Sequence, residues 1–276
     1  GSVIAQHATN NAGIKVTALA GNGSQANVQD LEDGNAELAF CQSDVEAYAY
    51  EGKNLFDGAP VDMISTVAAL YDEQVQIVTC NPDIKTVADL KGKNVSIGAA
   101  GSGVYFNAID ILGAYDMTEN DIKPTYQSFG DSADALKDEK IDAAFIVAGA
   151  PTTAITDLST SKAAYLVSID DAHIQKLLEK SEYYSKTVIP AGTYSTMTTD
   201  TTTVAVSAVI IARDDVSEDD VYKFVKDIFD NAPDLVSSHA KYKELSIEKA
   251  TSISSVPYHK GAAKYFEEKG VKVTTK

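Results

Sequence analysis

Four short runs in this 276-residue chain carry the residue types that hold a small charged molecule without a dedicated cation. They are Gly21-Asn22-Gly23-Ser24-Gln25-Ala26-Asn27, Gln42-Ser43-Asp44, Gly98-Ala99-Ala100-Gly101-Ser102-Gly103 and Gly149-Ala150-Pro151-Thr152. Each stands where a strand-like run gives way to a helix-like one. Glycine lets the backbone approach a guest, and the first-turn amides of a helix have no intrahelical acceptor. The helix dipole adds positive potential at that end, so a carboxylate suits it. About five hydrogen bonds to a charged group, at roughly 1.5–3 kcal/mol each, reach the ~8 kcal/mol of a micromolar site after ordering costs. The other role open to each run is an ordinary helix start. Ser24, Asp44, Ser102 and Thr152 are all capping types, and Pro151 suits a first helical position.

The remaining chemistry is thin. Lysine and arginine number 23 against 40 acids, for a net charge of −17. Such a surface repels phosphate backbones and anionic lipid, which argues against nucleic-acid and membrane-surface partners. Arg213 is the one arginine, so an anionic ligand is held by it or without a bidentate guanidinium. Gly21-x-Gly23 is followed by Ala26, but Cys41-Gln42-Ser43 stands where a dinucleotide site needs an acid at the end of the next strand. There is no Gly-Lys-Ser/Thr loop, and Ser102 lies in Gly-Ser-Gly, not in a hydrolase elbow. His7, His173, His239 and His259 read as solvated residues, and Asp214-Asp215 and Glu218-Asp219-Asp220 as helix-start charges. Cys41 and Cys80 read as two small buried side chains. No enzyme, metal site or cofactor is expected.

The elements that must position these turns alternate along the chain. Strands are expected at Gly13 to Ala20, Glu37 to Cys41, Val61 to Leu70, Val75 to Cys80 and from Val95 to Ile97. Helices are expected at Ser24 to Leu31, Val45 to Tyr50, Val104 to Ala114 and Val221 to Ala232. The last carries Val221, Phe224, Val225, Ile228 and Phe229 on one stripe. This alternation implies an α/β fold with parallel strands joined by crossover helices. The longest apolar stretch, Val204 to Ala212, has strand length and cannot span a membrane. The first residues show no charged-then-apolar leader, so the chain reads as cytoplasmic or already processed.

An internal echo suggests two lobes. Leu31 to Phe40 and Leu136 to Phe145 both read as a helix end, a polar turn and a buried strand, with acid, Ala and Phe at matching offsets. The expected division places 1–83 and 204–276 in lobe I and 84–203 in lobe II. Two crossings between them make a hinge, and the four turns are expected to converge on one ligand.

The order of the motifs resembles the TAXI subfamily of TRAP (tripartite ATP-independent periplasmic) transporter solute-binding proteins. The resembling segments are Gly23-Ser24-Gln25-Ala26-Asn27, Phe40-Cys41-Gln42-Ser43-Asp44, Ala69-Leu70-Tyr71, Val87 to Lys93 with Val95 to Gly103, Ile141 to Phe145 with Ala148 to Thr152, and Ile189 to Tyr194. The resemblance implies a two-lobed type II periplasmic-binding-protein fold, outside the cytoplasm, in the periplasm or lipid-anchored at the cell surface. It also implies delivery of a small carboxylate such as glutamate, glutamine or 2-oxoglutarate to membrane subunits. Carried over by position, the cleft residues are Ser24, Asn27, Gln42, Asp44, Tyr71, Ser102, Gly103, Gly149, Pro151 and Tyr194. Two departures stand out. Gly1 to Gln6 looks like the middle of the family's first helix, so the resemblance starts after its first strand and Tyr-ended turn, and Val104 stands where relatives often have Thr. An α/β enzyme using a nucleotide and the sensing domain of a receptor are the alternative classes.

Overall fold

A computed structural model describes all residues, 1–276. In chain order its elements are α1 (Ser2–Asn11), α2 (Ser24–Glu32), β1 (Leu38–Gln42), α3 (Ser43–Glu51), β2 (Ile64–Thr79), β3 (Asn94–Ser96) and α4 (Val104–Ala114). Next come β4 (Lys123–Thr125), α5 (Phe129–Lys137), β5 (Ala143–Ala148), α6 (Thr153–Ser161), β6 (Tyr165–Leu166), α7 (Asp171–Lys180) and β7 (Ser185–Ile189). The chain ends with β8 (Thr201–Arg213), α8 (Glu218–Asp230), α9 (Ala232–Leu235), α10 (Ile247–Ala250) and α11 (Lys260–Glu268).

Hydrophobic spacing accounts for the long elements. On α8, Val221, Phe224, Val225 and Ile228 are buried along one stripe, and the Ser217 side chain caps the first turn by accepting from Asp220 N. Two expectations are corrected. Val61 to Leu70 and Val75 to Cys80 join in the single strand β2, because Tyr71-Asp72-Glu73-Gln74 contains no glycine or proline to turn the chain. Gly13 to Ala20 is not a strand. A strand exists through its ladder, and this segment has none: Val16 trades both backbone groups with the Thr9 hydroxyl, at 2.9 and 3.0 Å, and Leu19 is 70% exposed.

The chain forms two compact units, Gly1–Tyr71 with Ser207–Lys276, and Asp72–Val206. The division falls inside β2 and β8, whereas the turns in the sequence suggested 83/84 and 203/204. In the first unit the strand order is β1, β8, β2, and β1 runs antiparallel to β8 with Leu38 opposite Ala212 and Gln42 opposite Ala208. Helices α1, α8 and α11 cover a core of Val67, Leu70, Ile210, Phe224, Tyr265 and Phe266 among others.

In the second unit the order is β8, β2, β5, β3, β4, with β6 on β2 and β7 on β8. β3 pairs in parallel with β4 and with β5, while β2 meets β5 and β6 antiparallel, so the sheet is mixed. β5 is buried along nearly its whole length, which is why Ala143-Ala144-Phe145-Ile146-Val147 carries no polar residue. No helix is long and apolar enough to cross a membrane.

Candidate functional site

In the second unit the turn from β3 into α4 forms around Gly98. Its φ is +89°, and a Cβ added there would lie 2.5 Å from Val104 Cβ and 2.6 Å from Ser102 Oγ. Glycine alone lets the loop fold this tightly. The turn packs Ser102 inward at 9% exposure, and its Oγ has no hydrogen-bond partner. The helix N-cap is Gly103, with no side-chain cap bond; its carbonyl takes the Phe106 and Asn107 amides, and those of Val104 and Tyr105 stay open. An unpartnered buried hydroxyl costs free energy unless something satisfies it. A hydroxyl and amides that converge at a helix start can all donate to one anion.

Beside β5, the Gly149 turn is tied down by side chains. Gln74 Oε1 accepts from Ala150 N at 3.0 Å, and Gln76 Nε2 donates to Ala148 O at 3.1 Å and Thr152 Oγ1 at 2.8 Å. The Tyr194 hydroxyl donates to Gln76 Oε1 and accepts from Thr152 N at 2.8 Å. Tyr194 is 2% exposed, and burial raises its phenol pKa. Both of its hydrogen-bonding roles are therefore spent on the turn. Replacing Tyr194 with Phe is expected to cost about 2 kcal/mol of stability, because Gln76 and Thr152 N each lose a partner. Chemical denaturation of the two proteins measures this. Pro151 precedes the N-cap Thr152, and α6 begins at Thr153, so the proline is not the first helical residue.

In the first unit, alternation along β1 points the backbone groups of Phe40 and Gln42 away from β8, since Glu37 O bonds Arg213 N. The side chains of α2 meet them. Ser24 Oγ accepts from Gln42 N at 3.1 Å, and Asn27 Nδ2 donates to Phe40 O at 2.8 Å. Gln42 is the N-cap of α3 at 5% exposure, and Asp44, in its first turn, is fully buried. Ser24, Asp44 and Ser102 are thus not N-caps, and Thr152 is one without a side-chain bond. Tyr71 is half-buried and lines a cavity of about 110 Å³ that belongs wholly to the first unit. The Lys241 ammonium stands 5.3 Å from the centroid of its ring. Sequence reasoning missed Lys241 and Gln76. Lys241 sits in a Lys-Tyr-Lys-Glu run that reads as a solvated helix face. Gln76, a polar residue between Val75 and Ile77, was a signal that went unread.

Groups that could do covalent chemistry are held down by burial or by partners. Both thiols are free, and burial holds Cys41 well above the usual thiol range, with Glu46 and Asp44 adding to the shift. His7 pairs with Asp227 at 2.7 Å and His173 with Asp170 at 2.6 Å. His259 is 4% exposed, against the expectation of a solvated residue. It is the N-cap of α11, accepting from Gly261 N, and burial lowers its pKa. Arg213 is committed to Asp215 through Nε at 3.0 Å and Nη2 at 2.5 Å. No cluster of His, Cys, Asp or Glu could hold a metal ion.

A model of the NMT1-like family matches residues 1–270. Among solved structures, the chain resembles the alkanesulfonate-binding protein of Xanthomonas axonopodis pv. citri bound to MOPS. The identity is 16%, over 96% of this chain and 79% of that one, with a TM-score of 0.55. It also resembles the periplasmic aliphatic sulphonate binding protein of Escherichia coli, at 15% identity over 97% and 86% of the two chains and a TM-score of 0.51. An ancestral arginine-binding protein bound to arginine matches at 14% identity over 88% and 83%, with a TM-score of 0.52. At these identities the likeness is one of fold: the mixed α/β fold of two-lobed periplasmic binding proteins, as expected.

Proposed function

The chain belongs to the NMT1-like family, and on that premise we propose that it is the extracytoplasmic substrate-binding subunit of an uptake system, taking a small organic anion and passing it to membrane subunits. The observation that carries this reading is Ser102, a buried hydroxyl without a partner beside the open amides of α4. Binding an anion needs donors held ready in advance, and nothing more. Catalysis would need a nucleophile or base as well. The two thiols, both raised by burial, and the histidines, of which His7 and His173 pair with carboxylates while His259 and His239 cap helix starts, supply neither.

The finer assignment is a TAXI-type protein serving TRAP membrane subunits, with glutamate, glutamine and 2-oxoglutarate as the first carboxylates to try. The ordered motifs from Gly23-Ser24 to Gly192-Thr193-Tyr194 support it. Fold neighbours described with a sulfonate or an amino acid support a small charged solute. The contacts proposed in the second unit are Ser102 and Gly103 with the Val104 and Tyr105 amides, and Gly149 and Pro151. Ser24, Asn27, Asp44 and Tyr194 hold the surrounding backbone and core.

Isothermal titration and thermal shift test this. A small carboxylate is expected to bind in the micromolar range and raise the melting temperature. Replacing Ser102 with Ala should weaken binding about tenfold or more, the loss of one charge-assisted hydrogen bond. The unliganded variant should melt no lower than the parent, since only an unsatisfied hydroxyl has gone. If no small carboxylate binds, the ligand class is wrong; if S102A binds as the parent does, Ser102 is not a contact. Ligand-dependent uptake into vesicles carrying TRAP membrane subunits checks the transport step.

A further inference from the structure

Within the second unit, β5 lies between β3 and β2 and runs on past the end of β3: Ser96 stands opposite Ala144, while Gln74 of β2 stands opposite Ala148. Gln74 is therefore level with the Gly98 turn. The helices that leave β3 and β5 take opposite faces of the sheet, α4 packing with Val75, Phe145 and Val147 and α6 with Val78, Ala144 and Ile146. Where such connections diverge, a gap opens beyond the carboxyl ends of the strands, and ligands of open α/β sheets lie there. Ser102 and the Val104 and Tyr105 amides stand on its α4 side. Gln74 stands on its α6 side, sharing a face with Gln76, which bonds Thr152 at the start of α6. The Gln74 amide has a fixed orientation. Ala150 N, which can only donate, gives its hydrogen to Oε1 at 3.0 Å. Nε2 must then face away from the turn, half-buried and without a hydrogen-bond partner.

We infer that Gln74 is a specificity-determining residue: its Nε2 donates to an oxygen at the far end of the ligand whose carboxylate Ser102 holds, and so selects acids with a second acidic group over monocarboxylates of equal length. The inference rests on the solute-binding reading and narrows it. Two strand spacings of about 4.8 Å separate β3 from β2. The Gln74 side chain covers part of that width, and a short carbon chain with oxygens at both ends covers the rest. A donor already held by Ala150 loses little freedom on binding. A ligand that ends in a methyl group would instead cover the Nε2 hydrogens and leave them unsatisfied.

The test is isothermal titration of the full chain with two pairs of acids, 2-oxoglutarate against 2-oxopentanoate and glutamate against 2-aminopentanoate. Within each pair the head and the number of carbons are the same, and only the far oxygens differ. In whichever pair binds, the acid with the far carboxylate is expected to bind at least tenfold more tightly, the gain of one charge-assisted hydrogen bond. Gln74→Glu keeps an oxygen for Ala150 N but replaces the donor with a charged acceptor. It should weaken 2-oxoglutarate and glutamate at least tenfold and change their methyl-ended partners less than threefold, whereas a merely structural lesion would weaken both members of a pair alike. Gln74→Met removes the donor without adding charge and should erase the preference if the first variant folds poorly; thermal melting of both variants confirms folding. A preference below tenfold in the parent, or the parent's preference retained in a folded variant, overturns the inference and leaves the solute-binding reading standing. If none of the four acids binds, the inference falls; if no other small carboxylate binds either, the solute-binding reading falls with it.

Discussion

Replacing Glu46 with Gln is expected to raise the melting temperature by about 8 °C at pH 9 and to change it little at pH 4, measured by thermal unfolding across that range. Glu46 lies in α3 and is fully buried. Its Oε1 is 2.6 Å from Thr66 Oγ1, and its Oε2 has no partner. Thr66 Oγ1 is also 3.2 Å from Val256 O, and a hydroxyl has one hydrogen to give. The Thr66 hydroxyl donates to Glu46 Oε1, while buried Oε2 receives no hydrogen bond, so the charge of an ionised carboxylate would be poorly compensated. The carboxyl is therefore a neutral acid in the fold. Burial is the main reason its pKa rises from an ordinary 4.5 to about 8, and the Thr66 bond only partly opposes it.

Because the unfolded chain ionises near 4.5 while the folded chain keeps the proton to about 8, the folded state binds one more proton in between. Stability therefore falls as pH rises through that window and levels off above it. The full difference corresponds to ~5 kcal/mol, and glutamine recovers roughly 3 kcal/mol of it, since its oxygen keeps the Thr66 bond but its amide hydrogens still need acceptors. The parent and the variant should thus diverge steadily between pH 5 and about 8. Parallel profiles in the two proteins would mean that Glu46 is already ionised and paired.

Local periodicity made the helices legible. α4 begins and ends where the sequence put it, and the apolar stripe of α8 was readable residue by residue. Segments that depend on a distant partner were not. Gly13 to Ala20 has the composition of a strand, yet it bonds to a threonine of α1 and joins no ladder. His259 looked solvated because nothing local announces that α11 packs it against Val216 O, at 3.1 Å. The candidate site divides in the same way. The Gly98 to Gly103 turn was visible because its glycines and Ser102 are contiguous. Ser24 and Asn27 read as ligand donors, and their bonds to the backbone of β1 were not legible, since neither residue's own neighbourhood reveals which edge of which strand it will face.

Close helix approach supplies the second large effect: Gly261→Ala should lower stability by about 3 kcal/mol or more, a fall of roughly 8 °C in melting temperature. Gly261 is buried in the first turn of α11. A Cβ built there would collide with Glu218 O, and would lie 2.9 Å from Tyr222 N and 3.0 Å from Val221 Cβ. Two of these neighbours are backbone atoms of the first turns of α8, so no rotamer change relieves the clash. The helices must separate, and with them the Phe229–Phe266 and Tyr222–Tyr265 ring contacts at 6.1 and 6.4 Å. Displacing Gly261 also pulls its amide from His259 Nδ1, the cap of the helix. Gly113→Ala is the control. It lies within α4, its added Cβ meets nothing within 4 Å, and the change should gain about 0.5–1 kcal/mol from helix propensity alone. Opposite signs for the same substitution at two helical glycines would locate the cost in the contact between α8 and α11; a Gly261→Ala protein as stable as the parent would show that the two helices do not approach so closely.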